Sequence, residues 1–411
     1  MLRRPAIPRR QLLWGAGAAL VSPAVCAAAG PSAGPNGRLA RFPFELLANA
    51  IFIPVRVNGK GPVLFALDTG STNSIVASEL AGELEIAGGQ AFRSSGAGSD
   101  SNMAAMVEQL DFVLPGGLAR TVHGNALISM AGLWPLIGRK IYGVAGYNVL
   151  QPFVVEIDYA RKTLSLYDPQ TYRYAGAGTK FPVRMLGRYD PQIDGELVAP
   201  GQPPIPVRFT LDTGAGGTII TSPIVDKYNL LSAIGHQIAA PDRGVGGARP
   251  TEVWGRPTAF RIGPYAVDKP LVALSRDKYG SLANENLSVN LGGNILRRFT
   301  VTIDYVHQWV ALEPNRRFSE PFPGDASGLQ LSADGDDFRT FVVDGVVPGS
   351  PASEAGLETG DVLSALDGRP ASAFTLWQVQ EALKAAGSVV GLKVRRGDRT
   401  FSKPLRLREL I

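Results

Sequence analysis

At 411 residues the chain is long for one domain, and ordinary domain sizes predict two to four. An apolar content of 45% can fill sizeable cores, while 48 glycines and 31 prolines favour strands and turns over long helices. The formal charge of +5 drops to +1 when four N-terminal arginines are set aside, which speaks against a nucleic-acid partner.

Residues 1–29 read as an export signal. Arg3, Arg4, Arg9 and Arg10 form a basic head, Leu12 to Val21 an apolar run, and Ala27-Ala28-Ala29 a small-residue cleavage site. The run is too short to span a bilayer comfortably, so no stable membrane span is expected once the signal is removed. Arg9-Arg10-Gln11-Leu12-Leu13 is similar to a twin-arginine signal, and the ordinary secretory route uses similar parts. The expected location is exported, periplasmic or secreted, in a bacterium. The single cysteine, Cys26, lies inside this segment, so the mature chain relies on packing and hydrogen bonds rather than disulfides.

Residues 30–40, rich in Gly, Pro and Ala, read as a linker. Ile51–Val57 and Gly61–Leu67, joined by Asn58-Gly59-Lys60, predict a hairpin whose second strand delivers Asp68. A glycine-rich tip at residues 94–100 follows, then a strand to Leu114, a Pro115-Gly116-Gly117 turn, and strands over 143–150 and 153–166. The same plan returns from Phe181 to about Leu312, with Ile205–Leu211 delivering Asp212.

The repeat is close. Leu67-Asp68-Thr69-Gly70-Ser71 is echoed by Leu211-Asp212-Thr213-Gly214-Ala215 after 144 positions. Gly146-Tyr147-Asn148-Val149-Leu150 and Ile157-Asp158-Tyr159 return as Gly292-Gly293-Asn294-Ile295-Leu296 and Ile303-Asp304-Tyr305, the aspartates being 146 apart. Each copy taken singly fits a strand and an Asp-Thr-Gly turn. Two copies at nearly constant spacing indicate an internal duplication of a β-rich unit. A carboxylate ending a buried strand is costly unless hydrogen bonds or catalysis account for it. Asp158 and Asp304, each after a strand and before Tyr, are read as turn residues.

The paired Asp-Thr-Gly sites, glycine-rich hairpins and Gly-x-Asn-[Val/Ile]-Leu segments resemble aspartic proteases over roughly residues 40–315. The single chain looks like pepsin. The short halves and the Asp212-Thr213-Gly214-Ala215 version look more like a retropepsin dimer fused into one polypeptide. The resemblance implies a mainly β fold: a two-lobed acid-protease-type β-barrel pseudo-dimer, with lobes at 41–172 and 173–315. It implies that Asp68 and Asp212 share one proton and activate a water that hydrolyses a peptide bond, without cofactor or metal. Thr69 and Thr213 would bond across to the opposite lobe, and the Gly70 and Gly214 N–H groups would donate to the carboxylates. Ser71 offers Asp68 a further donor that Ala215 denies Asp212, so Asp68 is expected to ionise more readily. Gly96, Ala97 and Gly98, with Gly244, Val245, Gly246 and Gly247, are either flaps closing over an extended peptide or ordinary mobile turns. Trp134 and Trp254 either line subsites or pack in the core.

After a second linker at 316–327, residues 328–411 resemble a PDZ domain. Gly328-Leu329-Gln330-Leu331 stands at the carboxylate-binding loop, Pro348-Gly349-Ser350-Pro351-Ala352 and Gly360-Asp361 match the central stretch, and Asp367-Gly368 makes a hairpin turn. Thr375-Leu376-Trp377-Gln378 reads as a capping box opening a helix whose Leu376, Val379 and Leu383 form one apolar face. The resemblance implies capture of C-terminal or internal peptide segments; packing against the lobes is the other reading. His123, His236 and His307 show no metal-ligand spacing, and no nucleophile elbow, P-loop or dinucleotide fingerprint occurs. Two functions remain: an exported aspartic endopeptidase acting on polypeptides, and a catalytically silent peptide binder on the same fold.

Overall fold

A computed structural model of the protein describes residues 34–94, 102–187, 189–244 and 247–411. The export segment, the first residues of the linker, and the hairpin-tip residues Gly96, Ala97, Gly98, Val245 and Gly246 lie outside the described residues. The described chain is mainly β, with short helical turns between strands.

In the first half, strands Ala50–Val57 and Lys60–Leu67 pair antiparallel through a two-residue turn at Asn58-Gly59. Both turn residues have positive φ, 49° and 76°, the backbone that a tight hairpin needs and that Asn and Gly tolerate. Ile51, Ile53, Val55 and Val57 point into the core. Lys60–Leu67 also pairs parallel with Gly143–Ala145, and Ile75–Ala77 runs antiparallel on the far side of that strand. The chain thus leaves the sheet at Asp68 and re-enters at Ile75. The second half is built alike. Asp190–Val198 and Ile205–Leu211 form the hairpin, Ile205–Leu211 pairs parallel with Val289–Leu291, and Thr218–Ile220 returns beside it.

A separate sheet joins the halves. Its strand order is Arg38–Pro43, Thr163–Tyr167, Val154–Asp158, Phe299–Asp304, Trp309–Pro314 and Thr179–Pro182. Val154–Asp158 and Phe299–Asp304 pair antiparallel at its centre, Glu156 opposite Thr302. Asp158 and Asp304 finish these strands and cap the turns that follow. Asp158 accepts from the Arg161 N–H at 2.9 Å and Asp304 from the His307 N–H at 2.9 Å.

Residues 329–406 form a further sheet in the order Leu329–Asp334, Thr340–Val346, Val362–Leu366, Val389–Arg396 and Arg399–Arg406, leaving Leu329–Asp334 as an edge strand. Helix Leu376–Ala382 opens with the capping box of Thr375 and Gln378 and buries Leu376 and Val379. Asp361, fully buried, is held by the Arg396 guanidinium at 2.6 and 2.8 Å, and that bond keeps its carboxyl below the usual range.

Neither expected linker hangs free among the described residues. Residues 38–40 already belong to the Arg38–Pro43 strand, so the fold begins inside the predicted linker. Residues 316–327 are bound down by Arg298, only 1% exposed, whose guanidinium donates to the carbonyls of Arg317, Phe318, Glu320 and Pro321. Its plane also covers the Phe322 ring at 3.5 Å. Linker composition hid this because the acceptors are backbone carbonyls, which any residue supplies. Among the described residues no helix is long and apolar enough to cross a membrane.

Burial, and the neighbouring charge of Arg297, push the Arg298 guanidinium down to about 10, so this cation is held at a desolvation cost that its carbonyl acceptors offset. Arg298→Met should therefore cost about 3 kcal/mol of unfolding free energy. Limited proteolysis of the variant should cut within residues 316–327, where the parent chain resists.

Candidate active site

The two Asp-Thr-Gly turns face one another. Thr69 Oγ1 donates to the Leu211 carbonyl at 2.7 Å and accepts from the Thr213 N–H at 3.1 Å. Thr213 Oγ1 repeats this on the Leu67 carbonyl and the Thr69 N–H at the same distances. Both hydroxyls are fully buried. Each strand end thus satisfies its last backbone groups on the opposite half, the kind of pairing that buried N–H and C=O groups require.

This cross-bonding brings the carboxyls together. Asp68 and Asp212 are in side-chain hydrogen-bond contact and half-buried. Each glycine of the motif lies under the other half's carboxyl. A Cβ on Gly70 would stand 2.8 Å from the Asp212 carboxyl carbon, and one on Gly214 would collide with that of Asp68. Glycine is required here by close approach rather than by backbone conformation.

The donors are unequal. Asp68 accepts from the Gly70 N–H at 2.8 Å. Asp212 accepts from the Gly214 and Ala215 N–H groups, both at 2.9 Å, and from the Asn290 amide at 2.6 Å. Ser71 does not supply the donor expected of it: its hydroxyl donates to the Asn73 carbonyl at 2.8 Å. The backbone of Ala215 makes the contact that the Ser71 side chain does not. Burial, then the charge of Asp212 and its hydrogen bond, push the Asp68 carboxyl well above the usual carboxylate range, and the Gly70 N–H opposes them. The N–H donors thus gather on Asp212 rather than on Asp68, against the order expected from Ser71, while the titration belongs to the pair.

The Gly-x-Asn segments support the loops from behind. Ser74 and Thr218 donate to Asn148 and Asn294, each at 2.7 Å, and accept from the N–H groups of Gly146 and Gly292. Beneath the pair lie Tyr159 and Tyr305, both phenol oxygens buried without a hydrogen-bond partner. Burial raises both phenols, followed by the charge of Asp212 on Tyr159 and of Asp68 on Tyr305.

Of the flap candidates, Gly244 and Gly247 face each other at the end of hairpin Gln237–Gly244 and Gly247–Gly255. Trp134 is a core residue, its indole N–H donating to the Ile141 carbonyl at 3.1 Å. Trp254 is half-buried over Gly217. No cluster of metal-ligating side chains occurs among the described residues.

The predicted peptide loop begins at Gly328, with φ +80°, where no side chain fits against Ser350. Leu329 and Leu331 are buried, and Gln330 packs on Gly345. Leu329 and Gln330 border a cavity of about 480 Å³ together with Val347, Gln380 and Lys384, and with Asn49, Gly216 and Trp254 of the two halves. Further along, the helical turn Trp134–Ile137 packs against the edge strand Leu329–Asp334, and Gly138 abuts Leu376. Phe338 joins the cluster formed by Phe52, Leu133, Trp134 and Ile137. The domain thus packs against the first half, one of the two readings made of it.

Comparisons with known proteins agree with two of these parts. A family model described as aspartyl protease matches residues 53–125, and a PDZ domain model matches residues 342–396. PDZ and LIM domain protein 3 of Homo sapiens is 36% identical over 83 residues, which is 20% of this chain and 23% of that protein. The chain thus spans less than a quarter of the length of that relative. The solved photosystem II D1 C-terminal processing protease is 27% identical over 23% of this chain and 25% of its own, with a TM-score of 0.20. The chain therefore carries an aspartyl-protease-like domain and a C-terminal PDZ domain.

The cross-bonding can be tested directly. Thr213→Val leaves the Leu67 carbonyl and the Thr69 N–H without partners, so denaturant unfolding should show a loss of about 3 kcal/mol. Thr69→Val should cost a similar amount. The double variant should lose clearly less than the two together, because both changes break one network.

Proposed function

We propose that the chain is an exported aspartic endopeptidase in which Asp68 and Asp212 activate a water against a peptide carbonyl. The observation that carries this reading is the meeting of two carboxyls from matching turns, held by reciprocal threonine bonds. Residues 41–315 are read as a retropepsin-like pair of lobes fused in one chain, and the PDZ domain as the module that presents polypeptide ends or segments.

Three N–H donors on Asp212 favour the charge on that residue, so Asp212 takes the proton from the attacking water. The protonated Asp68 hydrogen-bonds the carbonyl oxygen, stabilising the negative charge that gathers there as the oxygen of the water adds to the carbon. Collapse of the tetrahedral intermediate breaks the C–N bond, and the proton held by Asp212 passes to the departing nitrogen. No covalent bond to the protein forms, and the pair ends with one shared proton, ready to repeat.

The pH dependence follows. Below the acid limb both carboxyls are protonated and no base remains; above the basic limb both are ionised and no acid remains. Because Asp68 is raised well above the ordinary value, the basic limb should lie above the usual carboxylate range.

The mature protein incubated with unfolded polypeptides should cleave them along a bell-shaped pH profile. Asp68→Asn and Asp212→Asn should each lower kcat/KM by at least ~10³-fold, as loss of a group serving as both acid and base requires. Cleavage surviving either substitution would remove the assignment. No cleavage by the parent chain at any pH would leave a peptide binder.

A further inference from the structure

Two of the differences between the halves around the carboxyls put a polar side chain beside Asp212. Asn290, which donates to Asp212, stands where the first half has Val144, 146 positions earlier. The other position is Asp190. In the second-half hairpin, Gln192 pairs with Thr210 and Ile193 with Phe209. Gln192 and Thr210 lie on one face, their side chains hydrogen-bonded at 3.0 Å. Side chains alternate along a strand, so the next pair on that face is two residues further on, which sets Asp190 opposite Asp212. In the first half the same register, Phe52 with Ala66, sets Ala50 opposite Asp68.

Among the described residues Asp190 makes no ion pair. Its Oδ1 is buried with no hydrogen-bond partner, and among the described residues no cation acts on it. The ionisable groups around it are Asp212 at the end of Ile205–Leu211, Asp68 at the end of Lys60–Leu67, and Tyr305 after Phe299–Asp304. Tyr189 precedes it, and Tyr147 stacks edge-on against both Tyr189 and Tyr305 at 5.7 and 5.3 Å. A residue on the surface would find water or a backbone N–H; this one instead feels the charge of Asp212 and acts on Asp68 and Tyr305.

We propose that Asp190 is a positioning residue of the acid pair, a third carboxyl whose charge opposes ionisation of the second member of the pair. This rests on the proteolytic reading above. Ionising the second member of the pair beside a charged Asp190 would gather three negative charges in one half-buried site, so the last proton is released later than from the pair alone. Burial, and then the charge of Asp212, raise Asp190 itself to about 7, so the site acquires its third charge only near neutrality. The second half therefore carries both a device that stabilises the anion, Asn290, and one that delays double ionisation.

The test compares the full chain with Asp190→Asn and Asp190→Glu, reading kcat/KM against pH on a mixed peptide library. Asp190→Asn should move the basic limb to lower pH by roughly one unit while leaving the acid limb in place. Asp190→Glu, which retains the charge, should keep the parent limb. A basic limb unmoved by Asp190→Asn overturns the proposal.

A second measurement does not need activity. The folded chain binds a proton at Asp190 that the unfolded chain has already lost between about pH 4 and 7, so stability falls with rising pH across that window. Urea unfolding should show a flatter dependence for Asp190→Asn than for the parent, and equal slopes would also overturn the proposal. A parent chain that cuts nothing would overturn the proteolytic reading and this role with it. That failure is recognisable because the unfolding slopes would still differ.

Discussion

Two threonine hydroxyls hold the centre of this molecule together. Each bonds to the backbone at the end of the other half's strand, and each is fully buried, so neither turn is complete without its counterpart. Two carboxyls in contact repel when both are charged, and left to themselves the turns would part. The four cross-bonds impose the proximity, and burial, then the charge of Asp212, push the Asp68 carboxyl up. The shared sheet underneath, with Val154–Asp158 against Phe299–Asp304, distributes the same constraint over the whole body. Geometry is set by groups that do not titrate, which leaves the titrating groups free to change charge without moving.

Much of this was legible in the residues. Two Asp-Thr-Gly turns at a fixed spacing imply a two-fold site, and Asn58-Gly59 implies a tight hairpin delivering Asp68. The Thr375 and Gln378 capping box is likewise local, since three residues and a helix start define it. What failed to show is what depends on pairing between strands. Asp190 lies 22 positions from Asp212 with no motif around it, and only the hairpin register brings it opposite. Asn290 would have been visible by laying the two copies of the repeat side by side, because it breaks a match with Val144. Ser71 misled because a hydroxyl next to a carboxylate has other acceptors within reach, and here it takes the Asn73 carbonyl.

Packing of the PDZ domain on the rest of the chain belongs to the same class of unseen fact. Its edge strand Leu329–Asp334 carries the unpaired backbone groups that a peptide would use. The turn Trp134–Ile137 and Gly138 lie along one end of that groove, beside the strand and Leu376. The other end, at Leu329 and Gln330, opens on a cavity shared with Asn49 and Gly216, whose side-chain amide and carbonyl bond at 3.2 Å. Gly216 is four residues beyond Asp212. The cavity at Leu329 and Gln330 and the acid pair thus border on one segment of chain.

A duplicated chain is free to treat its halves differently, which a dimer of identical subunits cannot do. Here two of the differences fall at the rim of one carboxyl: Asn290 for Val144 and Asp190 for Ala50. The residues that enforce proximity stay matched, since an unequal grip would misalign both turns at once. Symmetry is kept where geometry is decided and dropped where charge is decided. In a pair of like groups held in contact, that separation lets hydrogen-bond donors gather on Asp212 without disturbing the bonds that hold the two turns together.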